Sequence, residues 1–244
     1  AKSGFTKHPG SGKYVGRYNT ISGHYSKTGA APLVNLTRAS ARSGARGKGS
    51  KWSEYDFASW CAVWLLYLVE FSDWDSQSKI GRGYVDGNSS AISSGGTDSM
   101  TYHTGRAAGT NGKTAVQYRH IENPYGNVFE FIDGINFSDG TVYVCLNPAS
   151  YADDTAANYT NIGSKIQSDG YITAIGVAAA MPWAFFPTGV GGSETTYIPD
   201  YAGYDSGWRV LFVGGGWSNG GGAGLFYFDA SYTSSNAGSS VGAR

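Results

Sequence analysis

The chain has 244 residues, 18 basic and 18 acidic side chains, and only 15% charged residues. That length corresponds to one large domain or two small ones. The balanced charge removes the electrostatic argument for a nucleic-acid or acidic-membrane partner, and no run of about 18 apolar residues exists that would form a membrane span.

Glycine (37) and tyrosine (18) are both abundant. Tyrosine with serine, glycine and asparagine is the composition of recognition surfaces, because tyrosine gives large contact area at low entropic cost. An aromatic-rich β protein with glycine turns has the same composition. Cys61 and Cys145 are too few for a disulfide framework and read as buried thiols, with one bridge between them left open.

Residues 1–50 form a basic, Gly/Ser-rich arm or support region whose first ten residues lack the pattern of a secretory leader. Its charges, Arg38, Arg42 and Arg46 among them, read as a solvated arm, since the aromatics of a nucleic-acid platform are missing. Tyr14 to Tyr18 and Pro32 to Leu36 read as strands. The domain proper then runs over 51–244.

Ser53 to Phe71 reads as a helix capped by Ser53, with Asp56 as a weak capping-box partner. Phe57, Trp60, Cys61, Trp64, Leu65, Leu68 and Phe71 follow helical spacing. Ala62, Val63, Leu66 and Val69 make its other faces apolar, so burial on most sides is expected. Residues 84–115 form a long Gly/Ser/Thr-rich insertion, functional or mobile by its length, holding a lone His103 that reads as a surface residue. Thr141 to Leu146 and Gly170 to Gly176 read as strands, and Trp183 to Pro187 as a buried aromatic patch. Adjacent Asp153 and Asp154 suit a turn or helix start; as neighbours they cannot flank a substrate as glycosidase carboxylates do.

The last segment organises the chain. Trp208 to Val213 and Leu225 to Phe228 read as aromatic strands, separated and followed by small, polar residues that have no apolar reason to be there. Strands that hold up such segments make a scaffold displaying loops, where binding usually sits.

GGGW at 214–217, AGLFYF at 223–228, SSN at 234–236 and VGAR at 241–244 together resemble the variable region of diversity-generating-retroelement target proteins. Gly126-Asn127-Val128-Phe129-Glu130-Phe131 resembles the GNVWEW segment of the C-type-lectin-like fold shared by those proteins and formylglycine-generating enzymes, with Phe at both Trp positions. The resemblance covers most of the chain from Ser53 onward. It implies an α+β, C-type-lectin-like fold with mixed or antiparallel sheets, one long buried helix and many loops.

It further implies positions where miscopied template adenines replace residues on a fixed scaffold. Those that fit are Gly216, Ser218, Gly222, Asp229, Ser231, Tyr232, Gly238 and Ser240, with Tyr232 as the main anchor. All can be encoded with a pyrimidine third base. Turn chemistry accounts for the same residues; the flanking motifs favour the variable-region reading. Asn219 and Asn236 are unmutated or fixed, and Tyr201 and Tyr204 flank the face.

The implied function is a ligand- or receptor-binding protein of a phage tail or cell surface, not an enzyme. Its partner would be a protein or glycan on a target cell, with no nucleic acid, no membrane insertion, and a homo-oligomer left open. No cofactor is expected, although the resemblance carries calcium as a second reading through Asn127, Glu130 and Asp133. A fixed-sequence calcium-dependent lectin or structural domain is the alternative; Glu122-Asn123-Pro124 has a lectin's residues in the wrong order. A formylglycine-type oxidase ranks lower, because 146–244 holds no cysteine and 121–244 no histidine.

Overall fold

The computed structural model describes residues 5–7, 13–87 and 89–244. Its strands are β1 (Phe5–Lys7), β2 (Tyr14–Gly16), β3 (Thr20–Ile21), β4 (Tyr25–Ser26), β5 (Gly105–Arg106), β6 (Val116–Tyr118), β7 (Ile121–Glu122) and β8 (Phe129–Ser138). They continue with β9 (Thr141–Val144), β10 (Thr160–Ser164), β11 (Gly170–Ala178), β12 (Met181–Val190), β13 (Tyr201–Tyr204), β14 (Trp208–Val213), β15 (Phe228–Ala230) and β16 (Val241–Gly242). The helices are α1 (Arg38–Arg46), α2 (Phe57–Phe71) and α3 (Ser76–Ile80). The architecture is therefore α+β and rich in sheet.

One mixed sheet dominates, in the order β10-β9-β8-β14-β15-β13-β11-β12, with β16 beside the start of β8. Most neighbours are antiparallel, but β13 runs parallel to β15 and β16 parallel to β8. The sheet nearly closes: just past β10, the Ile166 N–H donates to the Pro187 carbonyl of β12 at 3.1 Å.

Alternation along β14 divides its side chains between two faces. Leu211 and Val213 enter the main core, while Val210 and Phe212 join a smaller cluster with Phe131 and Val241. The main core is aromatic. Trp60 and Trp64 of α2 lie 4.2 Å apart by ring centroid, and Phe226 meets Trp64 edge-on at 4.7 Å. Helix α2 starts at Phe57, not Ser53, because the Asp56 carboxylate takes the Ser59 N–H and makes Asp56 the cap. It is buried on most sides, Val63 included, except for a stripe where Val69 is 81% exposed and Leu65 37%.

Leu225 to Phe228 is not a continuous strand; only Phe228 belongs to β15. Three side chains seize the preceding backbone instead. Trp64 Nε1 donates to the Leu225 carbonyl, the Leu225 N–H donates to Ser76 Oγ, and the Phe226 N–H donates to the Asp200 carboxylate. With those groups committed, no ladder can form there. Pro32 to Leu36 is likewise a loop: the Leu33 and Asn35 N–H groups donate to the separate Thr20 and Gly238 carbonyls.

The basic residues before Ser50 include two that are not solvated. Arg38 is fully buried and Arg42 nearly so. Arg42 forks onto Asp133 (Nε–Oδ2 2.6 Å), and Asp153 pairs with both arginines. Asp153 thus closes an ion-pair network, while Asp154 sits at φ 52° and accepts a hydrogen bond from Ser234. The long loop before β6 is tied down by Glu122, which accepts from the Gly95 and Thr97 N–H groups and the Thr97 hydroxyl. His103 is half-buried, stacked on Tyr102 at 4.4 Å. Cys61 and Cys145 are both buried, unbridged thiols. Among the described residues no helix is long and apolar enough to cross a membrane.

Trp64→Ala removes the central ring of the core and a clasp on Leu225. Urea denaturation should show a loss of about 3–5 kcal/mol.

Candidate binding face

The three side chains that could offer oxygens to a cation are each committed elsewhere. Asn127 accepts from the Ile92 N–H and donates to Asn19 and the Ile92 carbonyl. Glu130 is held by Arg244 and Asn19, and Asp133 by Arg42. Among the described residues no group of three or more His, Cys, Asp or Glu side chains is placed to hold a metal.

Rings, rather than charged groups, converge around the C-terminal segment. Six aromatics form an unbroken ribbon across the sheet. Tyr171 of β11 meets Tyr201 of β13 edge-on at 5.7 Å, and Tyr201 stacks on Tyr227 at 6.4 Å. Tyr227 then meets Phe129 of β8 at 5.7 Å, and Phe129 meets Phe212 of β14 at 6.1 Å. Tyr232 completes the ribbon, stacked on Phe212 at 4.7 Å with the planes 22° apart. Tyr171, Tyr201, Phe129 and Tyr232 are half-buried, whereas Tyr227 and Phe212 lie beneath.

The eight sequence-predicted positions sort around this ribbon. Gly216 lies over Phe129, where a Cβ would sit 3.1 Å from a ring carbon. A side chain at Gly222 would meet Tyr171 at 3.4 Å and Tyr201 Cβ at 3.6 Å, which is ordinary contact. At Gly238 the nearest atom would be 3.8 Å away. Ser218 is exposed, and Ser240 is half-exposed, its carbonyl accepting the Phe129 N–H. Ser231 is half-buried and ties its hydroxyl to Asp229 Oδ1 at 2.6 Å.

Asp229 and Tyr232 stand differently from what display alone requires. Asp229 is only 5% exposed, accepts from Tyr227 Oη and from the Ser231 N–H and hydroxyl, and faces Gly203. A Cβ at Gly203 would come within 2.2 Å of Asp229 Oδ1, so only glycine admits that carboxylate. Burial raises the Asp229 carboxyl above its ordinary range, against the lowering effect of the Ser231 and Tyr227 hydrogen bonds. Tyr232 rests one ring face on the sheet, so it is an anchor with a structural side.

The segment's other glycines are mostly locked. Gly214, Gly215 and Gly220 have φ of 82°, 72° and 55°, conformations that favour glycine. A Cβ at Gly224 would lie 2.3 Å from the buried Asp200 oxygens. Gly221 is buried, and the atoms nearest a Cβ there belong to the exposed Glu194 side chain, the closest at 2.6 Å. Asn219 is a turn clamp, its Oδ1 accepting the Gly216 N–H at 2.9 Å. Tyr201 takes part in the ribbon. Tyr204 lies instead under the Lys165 ammonium at 4.7 Å. Tyr171, Phe129, Phe212 and Tyr227 went unnoticed as a surface, because only the strand order brings them together.

No protein-family model matches the chain, and no curated protein matches it.

Lys165 is buried, and its ammonium donates to the Ile166 and Gly203 carbonyls. Burial lowers its pKa to about 8, partly offset by Asp229 and Asp169. Between about 8 and the ordinary 10.5 the unfolded chain then binds a proton that the native one has lost, so stability rises with pH there. Denaturation from about pH 8 to about pH 10 should show the protein gaining stability relative to Lys165→Met, on top of the fall that both share because burial raises the pKa of groups such as Cys61, Tyr67 and Tyr125.

Proposed function

We propose that this chain is a ligand-binding protein that presents replaceable residues on a rigid C-type-lectin-like scaffold. It would recognise a protein or glycan on a target-cell surface, as the receptor-binding part of a phage tail or of a displayed surface protein, without catalysis. The observation that carries this reading is the sorting of glycines. A Cβ at Gly222 or Gly238 would meet only ordinary contacts and one at Gly216 needs a small shift of a ring, although Gly216 and Gly222 are themselves buried. Neighbouring Gly214, Gly215 and Gly224 are fixed by φ or by buried carboxylate. A segment in which replaceable and irreplaceable glycines alternate suits diversification without loss of fold.

The aromatic ribbon supports the same reading. New side chains at Gly216 and Gly222 would lie on Phe129, Tyr171 and Tyr201, so each substitution would change a surface already suited to binding. Burial pushes the Cys61 thiol well above its ordinary range, which disfavours the thiolate an oxidase nucleophile needs. A fixed-sequence lectin-like or adhesin domain is the second reading. It draws on Asp229, whose three hydrogen bonds and contact with Gly203 suit one residue type.

Sequencing of the gene's 3′ end in sibling isolates separates the two. Substitutions clustered at Gly216, Ser218, Gly222, Ser231, Tyr232, Gly238 and Ser240 beside an adenine-rich near-repeat support diversification. An invariant segment with no repeat leaves the fixed domain. For the protein itself, Tyr232→Ala should abolish adhesion to target cells while costing about 1–2 kcal/mol from the lost Phe212 stack. Adhesion that survives the substitution would remove Tyr232 from the binding face.

A further inference from the structure

Helix α2 holds one charged residue, Glu70, among its 15. A helix apolar on all its faces is ordinarily covered on all of them, yet one stripe of α2 meets solvent. Ala58, Ala62, Leu65 and Val69 form it: the alanines are half-buried, Leu65 is 37% exposed and Val69 81%. Glu70 is turned away, its carboxylate accepting from the Tyr118 hydroxyl at 3.0 Å and from Arg119 Nε at 3.1 Å. The apolar surface continues onto the neighbouring hairpin. Phe185 of β12 meets Trp64, and Val177 of β11, its cross-strand neighbour and so on the same side, is 51% exposed.

The stripe also has an order. Its residues are spaced by four, three and four, the seam pattern of helices that pack in pairs. Small residues occupy its first half and large ones its second. Turned end for end on a copy of itself, the stripe sets Val69 against Ala58 and Leu65 against Ala62, so every large side chain meets a small one. A parallel pairing would set Ala58 on Ala58 and leave a gap at that end, which close packing disfavours. A two-fold axis through the middle of the stripe repeats each contact twice, as an isologous interface requires.

We propose that this stripe is the centre of a two-fold dimer interface, in which a second copy of the chain lays its α2 antiparallel on the first. An uncharged stripe gives a foreign partner no electrostatic feature to recognise, whereas a second copy supplies the large-to-small match in one register. None of the ribbon residues takes part, so the dimer stands or falls independently of the display reading.

Sedimentation equilibrium from about 1 to about 100 µM protein tests it, the span in which a modest interface of this kind associates. The protein should be dimeric at the upper end, and Val69→Lys should weaken the dimer at least about a hundredfold, because each dimer then buries two ammonium groups. Val69 is largely exposed in the single chain, so the variant should keep the near-UV circular dichroism of the parent. Register is read by mixing Ala58→Cys with Val69→Cys under mild oxidation. The mixture should yield a disulfide-linked dimer of one of each, and neither variant alone should link to itself; Cys61 and Cys145 are buried and do not interfere. A monomer throughout the range, a dimer that survives Val69→Lys, or Val69→Cys linking to itself would overturn the proposal and leave the stripe to a different partner. Should Val69→Lys fail to fold, the cross-linking pattern decides it.

Discussion

The pair formed by Glu130 and Arg244 is the constraint on which the rest of the architecture depends. Both side chains are almost wholly buried, and the guanidinium uses its whole fork. Arg244 Nε donates to both Glu130 oxygens, Nη1 to the Gly16 and Arg17 carbonyls, and Nη2 to the Glu122 and Asn123 carbonyls as well as to Glu130. One residue thereby joins β8, β16, the β2 turn and the end of β7. A buried charge pair of this kind contributes little net stability compared with apolar packing, but losing one partner is severe, because the other charge is left desolvated. Its effect is therefore on specificity: it fixes where the C-terminal segment lies against β8. Every loop between β14 and β16 is suspended between ends so fixed.

A second clasp acts in the middle of that segment. Trp64, Ser76 and Asp200 arrive from α2, the start of α3 and the approach to β13, and all bind backbone atoms of Leu225 and Phe226. Gln77 adds two more bonds, to the Gly220 and Ala223 carbonyls. The fold thus holds the middle of the C-terminal segment by its main chain, using side chains from α2, α3 and the approach to β13. The segment also gives side chains to the core, Leu225, Phe226 and Phe228 among them, so the side chains left free of structural work are those of its turns, such as Ser218. Asp229 lies in β15, where the segment becomes part of the sheet, and Tyr232 stacks on Phe212 just beyond it.

Much of this was legible in sequence wherever period and apolarity agree. β14 and the body of α2 fall where their patterns place them, and the two cysteines are buried thiols as their surroundings imply. Failures occur where a long-range hydrogen bond outbids local preference. Leu225 to Phe228 has the composition of a strand, yet three distant side chains hold its backbone out of the ladder. Ser53 is a good cap by type, but Asp56 lies nearer the first turn and wins. Arg38 and Arg42 read as solvated because no local signal announces Asp133 and Asp153, which lie about 100 residues away in sequence and meet them only through the fold. The ribbon was illegible for the same reason, since four of its rings come from separate strands, β8, β11, β13 and β14, and Tyr227 and Tyr232 flank β15.

GNVFEF and VGAR are recognisable as two separate stretches of sequence, and in the molecule they are two halves of one contact: Glu130 from the first, Arg244 from the second. The same first stretch supplies Asn127, which secures the Ile92 backbone, and Phe129, the ring beneath Gly216. Its residues therefore divide between tying elements together and underlying the Gly216 turn. A charge pair that needs both motifs makes them a single unit: altering either releases the other. The glycines between them need no such pairing, because their constraint is local, set by φ and by the space above each Cα. The two kinds of constraint are independent: the ends and clasps of the segment rest on contacts that the glycines above the ribbon do not make, which is what the proposed variation would require.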